Sequence, residues 1–252
     1  TYAHELGRLH LEQTFPEEVT TECYENLTQD LAEKAIYEAI RKDCNIIFTT
    51  TPEFVKASVQ AAIDHPNVKI LNCSLNTSHR YIRTYYARMY EAKFLMGAVA
   101  GAMSENGQLA YIADYPIFGT IANINAFALG AKMINPRARV YLEWSTLKDV
   151  DIRLAMENVQ KKGVTVVSGK DMVIPEDASR YFGLYHLTEE GPHNLAMPLW
   201  HWGKFYEQLI RTIMDGTWKY DDNKDETKAI NYWWGLSAEV IDVIYSQKLP
   251  IG

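Results

Sequence analysis

Residues 45–73 read NIIFTTTPEFVKASVQAAIDHPNVKILNC, and this stretch decides the fold. Asn45 to Thr50 is a short run rich in β-branched and aromatic side chains, the composition of a strand with both faces covered. Pro52 sits where a helix can start without losing a hydrogen bond, because the first helical N–H groups have no intrahelical partner. Val55, Val59 and Ile63 recur at helical spacing as far as the stop at His65-Pro66, and Val68 to Cys73 is a second apolar run. Strand, helix and strand within about thirty residues form a βαβ unit, which makes the two strands parallel.

The alternation continues in both directions. Upstream, residues 1–14 have a helical pattern with Ala3, Leu6, Leu9 and Leu11 near one face, and Val19 to Asn26 reads as a strand. Thr28 is expected to cap a helix whose buried side carries Leu31, Ala35, Ile36 and Ile40. Downstream, the polar residues 76–80 read as a crossing between lobes, followed by Tyr81 to Ala87 and a helix from Met89 to Ser104. Strands at 108–113, 140–144 and 164–167, separated by helices at 117–134 and 150–161, then repeat the first half. Tyr181 to His186 reads as a further strand followed by a loop, Trp200 to Met214 as a helix returning to the first lobe, and 218–226 as a linker. The expected architecture is α/β, with two doubly wound, largely parallel-sheet lobes. Residues 1–78 with 196–220 make the first, and 79–190 with 228–252 the second. A doubly wound lobe ordinarily opens with a strand at the centre of its sheet, whereas this chain opens with the helix that should follow it. Exposed ladder edges are costly, so an upstream segment or a second chain is expected to supply the opening central strand.

Bulk properties narrow the function. With 252 residues, each lobe can bury its own core. A net charge of -7 and a pI near 5.5 argue against nucleic-acid binding, which needs clustered Lys and Arg. Cys23, Cys44 and Cys73 have neither CxxC spacing nor an even count and read as core thiols. The apolar run from Phe94 to Met103 is too short to span a bilayer, which takes about 20 residues. There is no GxSxG, HExxH or P-loop pattern, the seven histidines are scattered, and the acidic residues 221–226 read as a solvated linker face. No catalytic residue, metal site or cofactor is expected, and the chain reads as a binding protein rather than an enzyme.

Ligands of open parallel sheets bind at the carboxyl ends of strands. In the first lobe those positions hold Thr50, Thr51 and Ser74; in the second they hold Asp114, Tyr115, Ser145, Ser168, Asp171 and Tyr185. Hydroxylic, acidic and aromatic side chains of this kind suit a polar, planar solute. Each has a competing role, since Ser, Thr and Asp after a strand commonly cap the next helix. Trp200, Trp202, Trp233 and Trp234 add flat apolar surface near proposed crossings, either as core or, for Trp200, as a platform for a ligand ring.

At TYAHELGR (1–8), IFTTT (47–51), YEAKFLMGAVAG (90–101), YIADYP (111–116), ANINAFALG (122–130) with Asn135-Pro136, and PLWHWG (198–203), the chain resembles the basic membrane protein family. These are substrate-binding lipoproteins of ABC transporters and include purine-nucleoside receptors. The resemblance covers nearly the whole chain. It implies a periplasmic-binding-protein type I fold with three crossings, closing on a nucleoside-like solute and feeding a possible ABC permease. It also implies an extracytoplasmic location, anchored to the plasma membrane. Thr1 stands where nucleoside receptors often carry Asn. The family's ribose-binding Asp aligns near Tyr185 to Leu187, where there is no acid, and a lysine common in the family aligns at about Trp200. A second reading with the same fold is the ligand-sensing domain of a larger cytoplasmic or membrane-attached regulator.

Overall fold

A computed structural model describes residues 2–75, 79–114, 116–145, 152–171, 179–218, 229–247 and 249. In chain order the elements are α1 (Tyr2–Thr14), α2 (Gln29–Arg41), β1 (Ile46–Thr49), α3 (Val55–Asp64), β2 (Lys69–Cys73), β3 (Arg83–Ala87), α4 (Met89–Met103), β4 (Gln108–Ala113) and α5 (Phe118–Ile134). They continue with β5 (Arg139–Trp144), α6 (Ile152–Lys161), β6 (Val166–Ser168), β7 (Leu184–Thr188), β8 (Gly191–Trp200), α7 (Trp202–Met214), β9 (Asn231–Trp234) and β10 (Ile241–Tyr245). The chain divides into two compact units, Thr1–Ala87 with His201–Val240, and Arg88–Trp200 with Ile241–Gly252. Among the described residues, no helix is long and apolar enough to cross a membrane.

In the first unit the sheet order is β1-β2-β3-β9, parallel throughout. Residues 79–87, expected in the second lobe, belong here, because β3 hydrogen-bonds to β2 on one side and to β9 on the other. Strand alternation sends Ile47 and Ile70 to one face, where they pack with Ile36, Ala61 and Ala62 of α2 and α3. Phe48, Leu71 and Tyr85 point to the other face. There Phe48 lies 4.2 Å from the Tyr206 ring and Tyr85 lies 4.8 Å from the Phe205 ring, both on α7. Helix α1 packs on α7 through Gly7, which lies against Gly203 and Tyr206. The expected strand at 19–26 does not form, since no described strand runs beside it and a strand without a ladder partner leaves its N–H and C=O groups unpaired. Cys23 in that segment is exposed rather than core, Cys44 is half-buried, and Cys73 is buried.

The same aromatic face holds a buried histidine. His4 stacks on Trp202 at 4.8 Å, and its Nδ1 lies 2.6 Å from the Tyr206 hydroxyl, which in turn lies 3.2 Å from that of Tyr85. Burial, assisted by the positive charge at the chain start, lowers the His4 pKa to about 3, so the ring is neutral at neutral pH.

The second unit has the sheet order β10-β8-β7-β6-β4-β5. It is parallel only through β5, β4 and β6, and antiparallel through β7, β8 and β10, in contrast to the largely parallel sheet expected. The two ends of the β6–β7 connection are drawn together by Gly169 N–H donating to the Gly183 carbonyl and Gly183 N–H to that of Lys170, each at 2.8 Å, and β7 returns antiparallel to β6. Segment 191–200, expected as loop and helix start, is the strand β8. On one face α4 and α5 meet so closely that a Cβ on Gly97 would lie 2.0 Å from the Phe127 carbonyl oxygen, and one on Gly130 would lie 2.0 Å from that of Phe94. On the other, Ala110, Ile112, Val159, Val164, Val167 and Tyr185 form the core under α6.

Two outcomes follow from this packing. Gly130→Ala should lose about 1–3 kcal/mol of stability in urea titration despite the better helix propensity of Ala, because two helix backbones must separate. The His4 contribution runs with pH in a defined direction: a group held at about 3 when folded and ~6.5 when unfolded stabilises fully above 6.5, and that stability is lost as pH falls toward 3. Between pH 7.5 and 5.0 the chain should lose on the order of 2 kcal/mol more than its His4→Phe variant, which keeps the stacked ring. Thermal unfolding of both proteins at the two values would measure this.

Candidate functional site: the strand ends of each unit

Parallel pairing brings the carboxyl ends of neighbouring strands to one edge of a sheet, so the expected residues can be located strand by strand. In the first unit, Thr50 and Thr51 follow β1 and are half-buried, and Ser74 follows β2 and is buried. Thr51 occupies the position before the Pro52–Phe54 turn, yet its side chain makes no capping hydrogen bond, which leaves the hydroxyl unused in the role that competed with binding. Beneath these residues lies Asn72, fully buried. Its Nδ2 donates to Thr49 Oγ1 at 2.8 Å and to the Thr51 carbonyl at 2.9 Å, and Thr49 Oγ1 is 2.9 Å from Ser58 Oγ on α3. Asn72 Oδ1 and Ser74 Oγ are buried without a protein partner among the described residues. Buried polar atoms in native proteins are nearly always paired, so two orphans at the end of β2 are a feature to be explained. Thr1 lies outside the described residues.

In the second unit, β5, β4 and β6 are neighbours in that order; Ser145 lies beside Asp114, whereas Ser168 is level with Tyr111, three residues earlier on β4. Ser145 Oγ donates to Asp114 Oδ1 at 3.0 Å and to the Ala113 carbonyl at 3.3 Å. Ser168 is buried, and Asp171, three residues on, is largely buried with its side chain 16% exposed. Both meet Lys93 of α4, whose side chain is fully buried: Nζ ion-pairs with Asp171, lies 3.4 Å from Ser168 Oγ and sits 5.1 Å over the Tyr111 ring. Burial raises the Asp171 pKa, Lys93 opposes that rise, and the Asp114 charge adds to it. Burial, with help from both carboxylates, pushes the Tyr111 phenol far up, so it keeps its proton.

Lys93 was not among the expected residues, although the sequence carried its signal as the only charge on the buried face of an apolar helix. Tyr115 lies outside the described residues. Tyr185 is a core residue, not part of the strand-end row: it is 1% exposed, packs with Val159 and Val164, and donates to Met156 Sδ at 3.5 Å. It stands at the start of β7, opposite Val167 near the carboxyl end of β6, with its side chain turned to the α6 face. Trp200 ends β8, which runs antiparallel to β7 and so finishes at the same edge as β6; the ring is half-buried. Trp202 and Trp234 instead pack around Phe205, at 6.3 and 5.1 Å. Glu5, Cys23 and Glu25 gather three potential metal-ligand atoms, but Glu5 is already held by Arg8 at 2.6 Å.

Residues 1–174 match the family of PnrA-like ABC transporter substrate-binding proteins. The chain belongs to that family. It is 26% identical over 264 residues to a purine-binding protein of Brucella abortus, covering 99% of this chain and 72% of that protein. It is 25% identical over 250 residues to a putative ABC transporter glucose-binding protein of Haloferax volcanii, covering 95% of this chain and 61% of that one. Among solved structures, an ABC transporter solute-binding protein from Conexibacter woesei aligns with a TM-score of 0.68 at 12% identity, covering 95% of this chain and 82% of that chain. A transcriptional activator of the comK gene from Bacillus halodurans aligns with a TM-score of 0.70 at 16% identity, covering 99% of this chain and 88% of that chain. These neighbours share the periplasmic-binding-protein type I fold.

The two kinds of strand-end residue should respond differently to substitution. Asn72→Ala removes two buried hydrogen bonds, to Thr49 Oγ1 and to the Thr51 carbonyl, and should cost about 1–3 kcal/mol. Ser74→Ala removes a hydroxyl without a protein partner and should leave the urea midpoint within about 0.5 kcal/mol of the parent.

Proposed function

We propose that the chain is the solute receptor of an ABC importer and captures a nucleoside-like or other small ring-bearing solute with residues at its strand ends. The single observation that carries this reading is the set of uncommitted polar groups at the strand ends of the first unit, Asn72 Oδ1, Ser74 Oγ and the uncapped Thr51. Such groups are buried at a cost that a bound polar solute would offset. Asp114, Ser145 and Asp171 at the corresponding ends of the second unit add acceptors and a hydroxyl. Trp200 at the end of β8 would supply a flat surface for a ring. The relatives support the same class, since a purine-binding and a putative glucose-binding protein share a polar, ring-bearing ligand. An importer receptor works outside the cytoplasm beside an ABC permease, with a membrane anchor to keep it there.

A thermal-stability panel of nucleosides, bases and flavins tests the ligand class. At a hundredfold excess over its dissociation constant, a bound member should add about 2.7 kcal/mol. A flat response across the panel would remove the nucleoside assignment and leave the family untouched. Trp200→Ala should weaken binding of the responding compound more than it lowers stability, and the opposite ranking would assign Trp200 to the core.

A further inference from the structure

Lys93 is the only charged residue on the buried face of α4, set among Met89, Ala92, Met96, Gly97 and Ala100. An isolated ammonium there would be expensive, and the structure pairs it with groups brought from two strands. Asp171 and Ser168 come from the end of β6, and the Tyr111 ring comes from β4. The pair is asymmetric: the Lys93 side chain is 0% exposed, whereas that of Asp171 is 16% exposed. The cation is therefore sealed inside while the carboxylate keeps a route to solvent at the strand ends. Asp114, at the end of the neighbouring strand, acts on Asp171 as a second carboxylate, and Ser145 from β5 donates to it. Among the described residues, the carboxylates of Asp171 and Asp114 face the same strand ends, with Lys93 behind the first and Ser145 beside the second.

We propose, on the solute-receptor reading above, that Lys93 is a positioning residue: it fixes the Asp171 carboxylate at the strand ends as an acceptor for hydroxyl or N–H groups of an uncharged solute. Arranged this way, the row favours a sugar-like diol or a neutral ring N–H and disfavours a phosphate or carboxylate, because like charge in a half-buried site is unfavourable. Among the described residues, Lys93 is the cation on Asp171 that opposes both the burial and the charge of Asp114. Without it, Asp171 takes up a proton and one acceptor becomes a donor.

A purely structural pin between α4 and the end of β6 makes a different prediction, since a buried ion pair can be replaced by apolar residues at little cost. The experiment therefore reads ionisation and binding separately. Carboxyl carbon NMR of aspartate-labelled protein without solute should show the Asp171 midpoint rising by roughly two pH units in Lys93→Met and staying near the parent in Lys93→Arg. With inosine, adenosine and guanosine as probes, Lys93→Met should weaken binding roughly tenfold to a hundredfold at pH 7, with part of the loss regained at pH 9. The 5′-monophosphates of the same nucleosides should bind the parent at least about tenfold more weakly than the nucleosides. If Lys93→Met does not fold, Asp171→Asn provides the binding arm: it should weaken binding as much, with no recovery at pH 9. An Asp171 midpoint that stays put in Lys93→Met, unchanged nucleoside affinity in either variant, or tighter binding of the monophosphates would overturn the proposal. If no nucleoside binds the parent, the nucleoside assignment falls by itself, and the Asp171 titration alone then decides the role of Lys93.

Discussion

Parallel pairing between neighbouring strands is the constraint on which the rest of the structure depends. A ladder such as β1-β2-β3-β9 forms only if the chain returns to the same end of the sheet after each strand, and helices such as α3 between β1 and β2 provide that return. The consequence is chemical as well as architectural. All four carboxyl ends come to one edge, so residues far apart in sequence, such as Thr51 and Ser74, become neighbours of the same buried Asn72 environment. In the second unit the same rule holds only across β5, β4 and β6, and there too it sets the polar row. Where the chain turns antiparallel at β7, the rule stops, and Tyr185 is absorbed by the core.

The two rows solve the problem of polar groups at a sheet edge in different ways. The first unit leaves orphaned neutral atoms, Asn72 Oδ1 and Ser74 Oγ, whose pairing is left to whatever enters. The second satisfies its polar groups internally and sets their charge, with Lys93 behind Asp171 and Ser145 beside Asp114. Neutral groups impose little preference on the charge of a ligand. A carboxylate does, and the proposed selectivity for charge accordingly rests on Asp171 and Asp114.

Most of the fold was legible because it rests on periodicity. The βαβ reading of 45–73 became β1, α3 and β2, and the glycines in YEAKFLMGAVAG and NINAFALG fell on the close contact between α4 and α5. The misreadings share a physical cause, which is that pairing is not local. Residues 19–26 have the pattern of a strand but no neighbour to bond with. Pro192 and Pro198 argue against a strand, yet β8 accommodates both: β7 pairs with its first half and β10 with its second, so each proline has one side without a partner strand. For the site, the positions after parallel strands can be read from the sequence, whereas the direction of β7, and so the face and level at which Tyr185 stands, is fixed only by its pairing with β6. Lys93 was legible in principle, since a lone lysine on an apolar helix must find a counter-charge.

Fold and family carry different weight in the functional argument. A solute-binding protein and a transcriptional activator align almost equally well with this chain, so backbone geometry does not separate delivery to a transporter from control of a gene. The family match over residues 1–174 does separate them, because it depends on side chains as well as on elements. Ligand identity is a finer question again. A purine-binding and a putative glucose-binding protein are nearly equally distant relatives, which means that the scaffold tolerates different rings. On the proposed reading, what distinguishes one solute from another lies in the few side chains at the strand ends, where the buried Lys93 behind the Asp171 carboxylate would set which charges the edge accepts.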